Sequence, residues 1–122
     1  MDNIVLKIPK KSEYISTIRL TTSALANLNN FNVDEIEDIK VIISEICTFF
    51  INNIEKCSED LKITYQIYDE KIKICVVDLN NGKIIENNNI NNDMQIMIIE
   101  SLSDNYNYDL NNNTINFEKI KN

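Results

Sequence analysis

The chain has 122 residues, 43% of them hydrophobic and 25% charged, with a formal net charge of −7 and no histidine. That length suits one two-layer core, and the composition excludes an intrinsically disordered chain. The acidic balance argues against direct binding to DNA, RNA or an anionic membrane, because those surfaces attract a basic stripe and the lysines here are scattered. A protein partner with a basic surface is the better match.

No apolar run approaches the ~20 residues that span a bilayer. Met1-Asp2-Asn3-Ile4 lacks the basic and apolar regions of a signal peptide. The expectation is a single cytoplasmic domain over residues 1–122. Cys47, Cys57 and Cys75 are odd in number and widely spaced. With no histidine they give no zinc pattern, and they read as buried free thiols. The missing histidine also removes the commonest base near neutral pH, so any catalysis would fall to a carboxylate or a lysine.

In chain order, Asn3 to Ile8 alternates, with Ile4, Leu6 and Ile8 on one face, and predicts a strand ended by Pro9. Ser12 is the expected N-cap of a helix to about Asn29, with Ile15, Ile18, Leu25 and Leu28 as its buried stripe. Asn32 and Glu35 have the spacing of a capping box and open a second helix to about Lys56. From Val41 to Ile54 that helix is apolar nearly all round, so it should be central and covered on several sides. Leu61 to Tyr68 and Ile72 to Val76 read as a hairpin turned at Asp69-Glu70. Residues 78–92 are loop-like and rich in asparagine. Asp93 can cap a short helix, Met94 to Leu102. Tyr106 to Leu110 and Thr114 to Phe117 form a last hairpin around Asn111-Asn112-Asn113. The order β-α-α-β-β-α-β-β predicts an α+β fold, a two-layer sandwich with a mainly antiparallel sheet of four or five strands and three helices on one face.

Several segments resemble the anti-sigma-factor serine kinases, called RsbW-like, of the histidine-kinase-like (Bergerat) ATPase superfamily. They are Tyr14-Ile-Ser-Thr-Ile-Arg19-Leu, then Asp34 through Lys40, then Ser44-Glu45-Ile46-Cys47-Thr48-Phe49-Phe50 in the frame of the family's S-E-A-x-T-N-A box. The resemblance implies that Glu45 stands where the family has its general base. It puts Phe49 where the family has a magnesium-binding asparagine. A phenyl ring cannot coordinate a hard cation that takes oxygen ligands. Asn52 or Asn53, about one turn on, are the alternative ligands.

Asp78-Leu79-Asn80-Asn81-Gly82 lies where the family has D-x-G-x-G, whose aspartate accepts the adenine amino hydrogen. Asp78 and Gly82 match that pattern. Read on its own, Asn81-Gly82 is a β-turn. The glycine-rich phosphate segment aligns with Asn92-Asp93-Met94-Gln95-Ile96 and has lost every glycine. Thr114 falls where the family has a Gly-Thr pair beside the phosphates, and it equally suits a residue opening a strand.

The resemblance therefore implies a regulator that binds a sigma factor, an anti-anti-sigma protein or both, as a homodimer by family habit, with Arg19 at the family's partner-binding arginine. Loss of the metal ligand and of the phosphate glycines points to no cofactor, with ATP and magnesium used only if the site still functions. An active serine kinase with a variant site, and a non-catalytic dimerisation partner of an intact homologue, are the competing readings.

Overall fold

β1 (Asp2–Pro9) alternates as its sequence dictates: Ile4, Leu6 and Ile8 turn inward while Asn3, Val5 and Lys7 are exposed. The structure, a computed structural model, describes residues 1–53, 60–79 and 94–122, and the side chains of Asn53 and Leu110 lie outside that description. β1 pairs with β2 (Asp60–Ile67), setting Leu6 opposite Ile63 and Ile8 opposite Leu61. β3 (Lys71–Asp78) follows β2 through a tight turn in which the Tyr68 N–H donates to the Lys71 carbonyl at 2.9 Å. β4 (Asn105–Asp109) and β5 (Thr114–Ile120) form the last hairpin, with a 3-10 turn at Leu110–Asn112 between them. β5 also pairs with β3, so the strand order is β1-β2-β3-β5-β4 and every neighbouring pair is antiparallel. The element order and the antiparallel sheet agree with the reading of the sequence, and the strand number resolves to five.

Three helices, α1 (Ile15–Leu28), α2 (Val33–Asn53) and α3 (Met94–Leu102), pack over the apolar face of the sheet. α2 is the central one and meets both other helices. Ile39, Ile42, Ile43, Ile46, Cys47, Phe49 and Phe50 are all fully buried, so nearly its whole circumference is covered between those positions. Each large apolar side chain so buried stabilises the fold by about 1.5–3 kcal/mol before conformational entropy is counted.

The start of α1 differs from expectation. Ser12–Tyr14 forms a 3-10 turn, and neither it nor α1 has a side-chain hydrogen bond at its N-cap, so Ser12 caps nothing. The stripe differs too. Ile18, Thr22 and Ala26, four residues apart, are the buried positions, with Ile15 and Leu25 half-buried beside them. Leu28 is 78% exposed. At ~100° per residue it lies about 80° round the helix from Ile18, on the side away from Thr22 and Ala26. Thr22 belongs in the stripe because its hydroxyl is satisfied twice, donating to the Ile18 carbonyl at 2.7 Å and accepting from the Tyr65 hydroxyl at 2.7 Å.

α1 ends in a Schellman arrangement. Asn30 takes the left-handed conformation (φ 63), the Phe31 N–H reaches the Ala26 carbonyl, and the Asn30 N–H reaches the Asn27 carbonyl. Phe31 is then buried against the core. The next residue opens the capping box expected from sequence. The Glu35 N–H donates to Asn32 Oδ1 at 2.8 Å, and the Asn32 N–H donates to Glu35 Oε1 at 2.9 Å. Glu35 Oε2 also accepts from the Asn122 N–H at 2.8 Å, tying the residues after β5 to the start of α2. Glu35→Ala removes both accepted bonds from a buried position and is expected to cost about 1–3 kcal/mol. The check is a lower urea midpoint at an unchanged denaturant slope.

Candidate functional site

The box on α2 is laid out by helix geometry. Glu45 and Phe49 are one turn apart and share a face. Glu45 is half-buried, and its carboxylate makes no hydrogen bond or ion pair among the described residues. Phe49 is fully buried, its ring edge-on to Phe50 with centroids 5.8 Å apart and planes at 72°. Between them Cys47 is fully buried, and burial pushes its thiol up to about 12, so it stays protonated and is no nucleophile near neutral pH. The Ser44 hydroxyl is turned back onto the helix, donating to the Lys40 carbonyl at 2.7 Å. Asn52 is exposed, and Asn53's side chain lies outside the described residues.

Asp78 closes β3 on the helix-covered face, continuing the inward series Ile72, Ile74 and Val76. Its carboxylate is held by Lys10, whose Nζ lies 2.8 Å from Oδ2, with side-chain exposures of 3% for the lysine and none for the aspartate. The sheet register brings this pair together. Ile8 is opposite Leu61, and Leu61 is opposite Asp78, so the chain leaving β1 passes the end of β3 on the same face two residues later. The Asp78 N–H donates to the Asn113 carbonyl at 2.9 Å. Asn113 is buried and left-handed (φ 50), a conformation asparagine tolerates better than most residues.

Thr114, expected beside the phosphates, is on the other face of the sheet from Asp78. It pairs with Val77, and its hydroxyl donates to the Asn112 carbonyl at 2.9 Å. Asn113 holds the position next to Asp78 instead. Gly82, Asn80, Asn92, Asp93 and Cys57 fall outside the described residues.

At position 49, where the resemblance implies a metal ligand, stands a fully buried phenyl ring that offers no oxygen. Among the described residues no three Asp, Glu or Cys side chains converge on a common point. Asp78 already faces an ammonium group.

A second arrangement lies on the outer side of α1. Ser16, Arg19 and Leu20 project there, about 100–200° round the helix from Ile18. With Lys40 of α2 they line a shallow groove of ≈ 240 Å³. Arg19 is exposed, and its guanidinium makes no ion pair or hydrogen bond among the described residues. Leu20 is 71% exposed. Lys40 pairs with Glu37 at 3.2 Å. The groove thus joins two cations to an uncovered apolar side chain. Sequence reading singled out Arg19 and did not point to Leu20 or Lys40, which the fold sets beside it. Leu20 could have been found as the one leucine of this helix diametrically off the buried stripe. Lys10 carried no signal, because nothing near Pro9 refers to a residue 68 positions away.

Among the described residues no helix is long and apolar enough to cross a membrane. Residues 8–119 match the histidine kinase-like ATPase domain family. The chain is 39% identical over 92 residues to the serine-protein kinase RsbW of Bacillus cereus (strain AH187), and equally to that of Bacillus thuringiensis subsp. konkukian (strain 97-27); each alignment covers 73% of this chain and 55% of the relative. The chain therefore spans about half the length of these curated relatives. The whole fold superposes on the structure of the RsbU and RsbW domains of Rv1364c from Mycobacterium tuberculosis, with a TM-score of 0.76 at 11% identity, covering all of this chain and 33% of that one. With its five-stranded antiparallel sheet under three helices, the chain belongs to the histidine kinase-like ATPase domain family as an RsbW-like member.

Proposed function

We propose that this protein is an anti-sigma-type regulator that binds a sigma factor or an anti-anti-sigma protein through the outward face of α1, without ATP-dependent phosphotransfer. The observation that carries the reading is the groove of Ser16, Arg19, Leu20 and Lys40. Its composition suits a partner that brings a carboxylate beside an apolar side chain. The guanidinium can grip the carboxylate with two parallel hydrogen bonds, and Leu20 gives the contact an apolar centre that excludes water. RsbW-like kinship supports the partner class, and the buried Phe49 supports the absence of phosphotransfer. The competing reading, a kinase with a variant site, draws on Glu45, whose carboxylate stays unpaired among the described residues. It lacks a metal ligand at position 49.

The test is calorimetry with a partner co-purified from the native cytosol. Arg19→Ala is expected to weaken binding by about 2 kcal/mol, the loss of a charge-assisted pair at an interface centre. Glu45→Ala is expected to leave binding within about 0.5 kcal/mol of wild type. The reverse pattern, with Arg19→Ala silent and Glu45→Ala abolishing activity, contradicts the proposal and favours the kinase.

A further inference from the structure

The Lys10–Asp78 pair is the most deeply buried charge arrangement among the described salt bridges. Taking two charges out of water is costly, and an apolar pair of similar size often serves stability as well or better. The place of this pair in the fold gives it another consequence. Asp78 ends a central strand on the helix-covered face, beside the left-handed Asn113, at the position where the family resemblance expects a carboxylate to receive the amino group of a base. In this chain Oδ2 receives a hydrogen-bond donor from within, the Lys10 ammonium at 2.8 Å. Lys10 can reach it because it follows Pro9 directly and lies on the short link into the 3-10 turn before α1.

We propose that Lys10 is a built-in occupant of the base-recognition carboxylate, a lock that holds Asp78 in place of an adenine-type amino group and closes that subsite. An incoming exocyclic amine competes for Oδ2 with a full positive charge. To displace the ammonium it must also pull apart two opposite charges held 2.8 Å apart in a buried place. A neutral heterocycle offers one hydrogen bond and some stacking in return, which does not offset the loss. The lock acts on the base alone. It is independent of the metal-ligand and phosphate positions, so it adds a separate barrier at the other end of the ligand. The inference rests on the reading that this protein does not use ATP, and it can fail while that reading stands.

Adenosine is the probe, because it carries neither phosphate nor metal. Wild type is expected to show no saturable binding at millimolar adenosine by calorimetry. Lys10→Ala is expected to gain at least about tenfold in affinity, and Lys10→Ala/Asp78→Asn to lose that gain. Equal behaviour of wild type and Lys10→Ala, whether both bind or neither does, overturns the lock. A second measurement needs no variant to fold. Under limited acylation of the wild-type protein, Lys10 is expected to react far more slowly than the exposed Lys7 and Lys62. Equal rates overturn the proposal. The partner-binding reading is judged separately, by the Arg19 and Glu45 variants.

Discussion

Phe49→Asn is expected to destabilise the protein by about 3–5 kcal/mol and to create no magnesium site. The side chain is fully buried on the central helix, packed edge-on against Phe50. Asparagine is much smaller, so the change removes apolar contacts and leaves space that the surrounding helices and sheet fill only in part. It also places an amide among apolar neighbours, where an unpaired polar group costs about 1–3 kcal/mol. Here the ring is part of the core. Urea unfolding followed by circular dichroism measures the loss. Near-neutral stability, together with magnesium-dependent stabilisation of the variant by ATP, would mean that Phe49 merely caps a site that is otherwise intact.

The ion pair between Lys10 and Asp78 gives the second large effect. Lys10→Met removes the ammonium that lies 2.8 Å from a carboxylate with no exposed surface, and Asp78→Asn leaves a buried ammonium facing an amide. Each is expected to cost about 3–5 kcal/mol, because a buried charge without its partner keeps the desolvation penalty and loses the attraction. The double variant Lys10→Met/Asp78→Asn is expected to be more stable than the sum of the two losses predicts, by about 1–3 kcal/mol. Strict additivity would show that the two groups do not depend on each other. The distance and the shared burial predict strong coupling.

The fold was legible because its signals are periodic and local. Alternation in Ile4–Ile8, Leu61–Ile67 and Ile72–Val76 marks inward faces that do face inward. The Asn32/Glu35 box is a three-residue pattern, and it forms both of its reciprocal bonds. The α1 stripe was less legible. Leucines dominate a hydrophobic count, yet the burial runs through Ile18, Thr22 and Ala26, and a threonine enters only because Tyr65, 43 positions on, shares its hydrogen bond. Ser12 had the chemistry of a cap, but a 3-10 turn occupies the place where the first turn of helix was expected.

The sequence singles out Glu45, Phe49, Asp78 and Arg19 by their place in a family pattern. What those residues touch was not legible. Lys10 meets Asp78 through the register of three strands. Leu20 and Lys40 meet beside Arg19 through the packing of α1 on α2. Thr114 was placed by its neighbours in sequence, and the two-residue period of a strand sends it to the other face.

Thermal unfolding of the wild-type protein with and without millimolar Mg-ATP tests the central claim most directly. A ligand bound by the native state alone raises the midpoint in proportion to RT ln(1 + [L]/Kd), whatever its later chemistry. With a buried phenyl ring where the resemblance implies a metal ligand and Lys10 on Asp78, the expected result is the same midpoint in the presence and absence of the nucleotide. A rise that requires magnesium and disappears in Asp78→Asn would contradict the account and return this chain to the ATP-dependent kinases it resembles.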